Sequence, residues 1–360
     1  MNSELSNKIK AEALSLGFSA CGIAKAQPVD DATAQRLKRW LARGDYAGMI
    51  YMANHTDMRL DPRLLMPQVK SIVCVALNYT PARTLPEGEY QIAAYALGKD
   101  YHHIVKAKLH QLAARFGFNN YRAFCDSAPV LERYWAERAG LGFIGRNHQL
   151  IIPKAGSMFF LGELFLNVEL HYDRPQASKC GRCRACIDAC PTRALSPDRE
   201  FNAEKCLSYQ TIENRGELTH AFASKMGNTI YGCDRCQQAC PWNRFATPNT
   251  TPELQPAQAL LGMTKERWLH LSEEEYRQLF KGSAVKIRRT DTQHTGRPAR
   301  GGAAAVAHRR FEPPRDINRR TAQCAVRLFY VVDTPLARGS VAPSVELPGN
   351  SRVDSPISWV

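Results

Sequence analysis

Apolar residues recur at helical spacing over residues 3–16, and Gly17 follows where a helix end favours a left-handed residue. Residues 18–26 read as a buried strand. Asp30 and Asp31 can cap a helix that runs to about Arg43. The segment 71–78 (SIVCVALN) is apolar and β-branched along its length, which predicts a strand buried on both faces. An amphipathic helix is expected over 100–116, a short strand over 121–125, and a helix over 128–139 that ends at Gly140. Strands are expected over 149–152 and 158–170, with Gly156 as punctuation. Helices and strands therefore alternate through the first 170 residues, as in an α/β or α+β domain. A cysteine-rich segment covers 178–245, and a helical stretch covers about 252–280.

The remainder changes character. From residue 287 to 360 there are twelve arginines and no lysine, with frequent Gly, Pro and Ser and little periodicity. Two readings stay open: a basic irregular tail, or sequence out of frame after about Lys286. The fold expected is α+β: an α/β-like domain over 1–172, a two-cluster domain over 173–248, a helical segment over 249–286, and the atypical tail over 287–360.

Charge and composition narrow the function classes. The net charge is +14, which suits a polyanionic partner such as nucleic acid or is solubility charge alone. No apolar run reaches membrane-spanning length, and the N-terminus lacks a signal-peptide apolar core, so a cytoplasmic protein with no membrane partner is expected. No G-x-G-x-x-G or Walker motif supports a nicotinamide or ATP site.

Eight of the twelve cysteines lie between Cys180 and Cys240, which in a cytosolic chain points to metal. Cys180, Cys183, Cys186 and Cys190-Pro191 form C-x2-C-x2-C-x3-C-P, the spacing of two-cluster ferredoxins, in which the fourth cysteine serves the other cluster. Cys206, Cys233, Cys236 and Cys240-Pro241 repeat the pattern with a longer first interval. Cys180, Cys183, Cys186 and Cys240 are then expected to hold one [4Fe–4S] cluster. Cys190, Cys206, Cys233 and Cys236 would hold the second. Structural zinc would use pairs of C-x2-C instead.

Two clusters alone describe an electron carrier. The segment before them holds polar residues in apolar settings: Asp126 after YRAFC, Glu132 and Arg133 in the next helix, and the run GKDYHH at 98–103. Asp126 is either a general acid or the N-cap of the following helix.

These residues carry a resemblance. The run MRLDP (58–62), GKDYHHIV (98–105), CDSAPVLERYWAERAGLGFIGRN (125–147), CLSYQTIE (206–213) and GNTIYGCDRCQQACPWN (227–243) resemble the epoxyqueuosine reductase family, related to reductive dehalogenases. The resemblance runs to about residue 286. It implies reduction of the epoxide of epoxyqueuosine to queuosine at the tRNA wobble position, the last step of queuosine biosynthesis. Electrons from an external low-potential donor would pass through two [4Fe–4S] clusters to a cobalamin held without a protein histidine below cobalt. It also implies that Asp126 is the proton donor. Arg59, Ala93, Leu150, Ser157, Leu161, Ser208, Cys233 and Asp234 would lie against the corrin, and the enzyme would act as a monomer. Arg215, Lys225 and Arg235 could track tRNA phosphates. The alternatives are a dicluster electron carrier and a reductive dehalogenase.

Overall fold

The computed structural model describes residues 2–216 and 218–285, plus the paired segments Arg288–Arg289 and Tyr330–Val331. Apart from those two short pairs, the Arg-rich tail and both readings of it lie outside the described residues.

The N-terminal half contains α1 (Ser3–Ser15), β1 (Ala20–Lys25), α2 (Asp31–Ala42), α3 (Thr56–Leu60), β2 (Ser71–Asn78), β3 (Gln91–Ile92), α4 (Tyr101–Arg115), β4 (Tyr121–Phe124), α5 (Glu132–Arg138), β5 (Phe143–Ile144), β6 (Leu150–Ile151) and β7 (Phe159–Leu166). Caps set several of these ends. Asp30 accepts from Thr33 N–H at the start of α2, and Asp100 accepts from His102 N–H at the start of α4. Gly17, at φ +92°, closes α1.

The main sheet has the order β1-β2-β7-β4. Every pairing in it is antiparallel. This corrects the α/β-like expectation: the domain is α+β, because no crossover returns a strand parallel to its neighbour. The apolar run of β2 follows from cover on both sides. One face packs Val73, Val75 and Leu77 with Ile9, Val105, Leu109 and Leu164, beneath α1 and α4. The other packs Ile72, Cys74 and Ala76 with Leu161, Phe165, Tyr134 and Trp135, and continues into Cys186, Ile187, Leu195 and Phe201 of the cysteine segment. Gly22 allows this second layer to approach: a Cβ there would stand 2.0 Å from the Ala139 carbonyl oxygen.

The helix expected over 128–139 begins only at Glu132. Ala128 precedes Pro129, and that position disfavours helical backbone. Asp126 at φ +59° also turns the chain out of helical geometry. Neither Asp126 nor Ser127 therefore caps a helix; the N-cap position is Leu131, without a side-chain bond.

The cysteine segment contains α6 (Ala185–Asp188), α7 (Leu207–Ile212), α8 (His220–Met226), β8 (Thr229–Tyr231) and α9 (Arg235–Gln238). The short helices α6 and α9, one from each cysteine run, pack together. β8 pairs with β3, so the two halves share backbone hydrogen bonds. Three side-chain bonds add to this seam: Trp40 Nε1 to the Phe201 carbonyl at 2.8 Å, Gly48 N to Tyr209 Oη at 2.8 Å, and Asn202 Nδ2 to Asp45 Oδ1 at 2.9 Å. The stretch after 252 is a 3-10 turn and three short helices, α10 (Gln258–Leu261), α11 (Lys265–Leu269) and α12 (Glu273–Leu279). Trp268, Tyr276 and Phe280 from these helices cover Ile92, Leu97 and Ile230. Among the described residues, no helix is long and apolar enough to cross a membrane.

Candidate active site between the sheet and the cysteine segment

Two cavities divide the eight cysteines. Cys180, Cys183, Cys186 and Cys240 line one of about 1140 Å3 including its open mouth, where Cys183 is exposed. Cys190, Cys206, Cys233 and Cys236 line the other, a cleft of about 1300 Å3 including its open mouth. Asn147 borders both. No three His, Cys, Asp or Glu side chains among the described residues converge on a point fit for a single ion. The thiols ring cavities instead, which suits a polynuclear cluster better than a zinc ion with sulfur at about 2.3 Å. Burial pushes Cys186 up to about 11 and Cys206 up to about 12. Such buried thiols become thiolates only beside strong positive charge, the condition that iron supplies.

The same cleft brings together most of the positions expected from sequence. Ala93, Asp126, Leu150, Ser157, Leu161, Ser208, Cys233 and Asp234 all line it. Ala93 and Asp234 are tied at one edge, where Ala94 N donates to Asp234 Oδ2 at 2.6 Å and Ala93 N donates to the Tyr231 carbonyl at 2.8 Å. Burial raises Asp234 to about 6. At another edge Ser157 N donates to Asn243 Oδ1 at 2.7 Å, fastening the start of β7 to the residue after Cys240-Pro241-Trp242. Arg59 is placed differently. It is buried, is not part of the cleft wall, and gives Nη2 to the Tyr51 carbonyl at 3.0 Å. Arg235, expected to face phosphate, is half-exposed, lines the cleft and donates to the carbonyls of Lys225 and Met226.

Asp126 lines the cleft from the loop between β4 and α5. Its left-handed backbone costs on the order of 1–3 kcal/mol for a residue other than glycine. Contacts on several sides hold it there. Its N–H donates to Glu132 Oε1, and its Oδ2 accepts from Tyr101 Oη. His102 Nε2 lies 3.6 Å from Oδ2, while His102 Nδ1 lies 2.6 Å from Asp100 Oδ1. Asp126 Oδ1 is buried with no protein partner among the described residues. Tyr101 is clamped by a ring stack on Phe160 at 4.0 Å. Burial opposes a charge on His102, but the hydrogen bonds and charges of Asp100 and Asp126 outweigh it and lift the imidazole to about 9. His102 is therefore a cation at neutral pH.

Several residues of this site were not assigned a role from sequence. Tyr101 and His102 sat in a conspicuous polar run, but only the helix start at Asp100 aims them at Asp126. His148 also lines the cleft; burial and then Arg133 press it down to about 4, so it is neutral. Glu163 is fully buried in the middle of β7. Its signal was legible, as a lone carboxylate inside FFLGELFL.

A cleft that joins a buried acid to four cysteines, with four more cysteines next door, defines an iron–sulfur oxidoreductase. Comparison with known proteins specifies the kind. Residues 179–243 match the family described as a 4Fe-4S double cluster binding domain, and residues 59–127 match the one described as Epoxyqueuosine reductase QueG, DUF1730. The epoxyqueuosine reductase of Cellulophaga algicola is 45% identical over 285 residues, covering 78% of this chain and 93% of its own. That of Leadbetterella byssophila is 46% identical over 287 residues, covering 79% and 94%. Among solved structures, an epoxyqueuosine reductase with an epoxyqueuosine-modified tRNA-Tyr stem loop superposes with a TM-score of 0.71 at 30% identity, covering 78% of this chain and 76% of that one. The Bacillus subtilis enzyme, solved with its catalytic aspartate loop swung out of the active site, gives 0.70 with the same identity and coverage. The chain belongs to the epoxyqueuosine reductase family. It is an oxidoreductase that reduces epoxyqueuosine and carries a double [4Fe–4S] domain. The electron-carrier and dehalogenase alternatives give way to this.

Proposed function

We propose that the cleft is the reaction chamber: residues of its wall would hold a cobalamin beside the inner cysteine set, Cys190, Cys206, Cys233 and Cys236, and Asp126 protonates the epoxide oxygen of epoxyqueuosine presented in a tRNA anticodon loop. The single observation that carries this is the shared wall of Asp126 and Cys190, Cys206, Cys233 and Cys236. The cleft suits a corrin, a broad and mostly apolar ring with amides at its edge. Leu150, Phe160 and Leu161 offer apolar contact, and Ser157, Ser208 and Asp234 offer small polar groups. When bound, the clusters and the corrin would supply low-potential electrons from an external donor.

The chain's own residues would handle protons and position. Reducing an epoxide to an alkene consumes two electrons and two protons and releases the oxygen as water. Oxygen is a poor leaving group at neutral pH without a placed acid. Asp126 is one of three carboxyls lining the cleft, with Glu132 and Asp234, and it is the one on which Tyr101 Oη and His102 Nε2 converge, at Oδ2. That arrangement lets His102 restore the proton that Asp126 gives up, with Asp100 stabilising the imidazolium. The target base, in a loop, can be splayed from its stack into the cleft. Anaerobic reconstitution of the clusters, addition of cobalamin and a reductant, and assay on a modified anticodon stem-loop test the reading. Absence of product with both cofactors bound would sink it.

The His102 contact makes a pH prediction. The folded value lies above the free value, so the contact contributes fully below about 6.5 and is lost as pH rises through about 9. Turnover and melting temperature are both expected to fall across that window. In His102→Gln the fall should disappear from both curves. A wild-type single-turnover rate that stays flat through this range would remove His102 from the proton path.

A further inference from the structure

Beside Asp126 are two carboxyl groups that the proposed proton path leaves idle, Glu132, which also lines the cleft, and Glu163. Glu163 is 0% exposed and Glu132 is 4% exposed. Glu163 sits mid-strand in β7, opposite Cys74 of β2 and Phe124 of β4, on the face covered by α5. Its side chain meets that of Glu132 at hydrogen-bonding range. Yet no N–H or O–H of the described residues donates to either Glu163 oxygen. Glu132 Oε1 in turn accepts the backbone N–H of Asp126.

Two facing carboxylates with no donor between them would be two unshielded acceptors in an apolar layer. One proton between them removes both faults: it supplies the donor and leaves a single charge. We propose that Glu163 is a neutral carboxylic acid that donates to Glu132, and that Glu132, so fixed, is the positioning residue that holds the Asp126 backbone in its working conformation. The proposal rests on Asp126 being the acid of the reaction.

The surroundings agree with one charge and not two. The groups that face the pair are Asp126, Cys125 and Cys74, with Arg133, Arg59 and His102 as the cations. Arg133 is committed in part elsewhere, since its Nη1 donates to the His148 carbonyl. Burial raises Glu132, and burial followed by Glu132 raises Glu163 well above the usual carboxylate range, so the pair together resists a second charge. The pair therefore keeps its proton through neutral pH.

Infrared spectra of protein labelled with 13C-glutamate, with its clusters in place, test the proton directly. A protonated glutamate carboxyl band is expected at neutral pH in the wild type, and it should be absent in Glu163→Gln. No such band in the wild type overturns the proposal. The positioning role is read from turnover. The amide of Glu163→Gln still donates to Glu132, so kcat should stay within about threefold of wild type. Glu163→Leu removes the donor and should lower kcat by ~10–100-fold with KM little changed, as expected for a misplaced acid. Equal losses in the two variants would overturn it. The infrared result does not depend on what Asp126 does, so failure of the acid assignment would show separately, as retained turnover in Asp126→Asn.

Discussion

Asp126→Asn is expected to keep both clusters and the corrin and to lose turnover by ~10²–10⁴-fold, the usual worth of a placed general acid. The substitution is close to a pure removal of acidity. Asparagine is isosteric and tolerates left-handed backbone as well as aspartate does, so φ +59° adds no penalty to the exchange. Its side-chain oxygen can still accept from Tyr101 Oη, and its backbone N–H can still donate to Glu132. What it cannot do is give a proton to oxygen. The measurement is single-turnover conversion of an epoxyqueuosine stem-loop, with cluster absorbance and corrin spectra recorded on the same sample. A rate within about threefold of wild type would end the acid role of Asp126.

The second large effect concerns the crossing of the cysteine runs. Cys240 follows Cys233 and Cys236 in sequence but shares a cavity with Cys180, Cys183 and Cys186. Cys190 follows the first run but lies with Cys206, Cys233 and Cys236. Cys240→Ala is therefore expected to lose the outer cluster and Cys190→Ala the inner one, each dropping iron from about eight to about four per chain. Both variants should be inactive with a physiological donor. They should differ in the cluster that remains, since the inner one lies beside the cleft and can report bound corrin in its paramagnetic spectrum. If Cys240→Ala removed the signal that responds to corrin, the crossing would be wrong.

Much of this protein was legible before any coordinates. The strand 71–78 and the helices starting at Asp31 and Tyr101 were readable because their signals are local: a continuous apolar run, and a capping aspartate before a periodic stretch. The double-cluster character of the cysteine segment was readable because ligand spacing is a property of the chain. The late start of α5 was missed although its cause, Pro129, was in view. Burial periodicity continued through Val130 and Leu131 and masked the break.

Sequence alone determined that the chain carries two linked cysteine sets, that an acid at 126 stands among apolar residues, and that the whole resembles one enzyme family. These depend on residue type and spacing, which local geometry converts into structure. Tertiary structure decided what surrounds the acid. Tyr101 and His102 come to Asp126 across 25 and 24 residues because α4 packs on β7, and Glu163 reaches Glu132 of α5 from the middle of β7. It also bonded Arg59 to the Tyr51 carbonyl and Arg235 to the carbonyls of Lys225 and Met226. Such relations arise from which faces pack together, and no local pattern encodes them. The antiparallel order of the sheet belongs to the same class, since helix and strand alternation is compatible with either direction and only the pairing chooses.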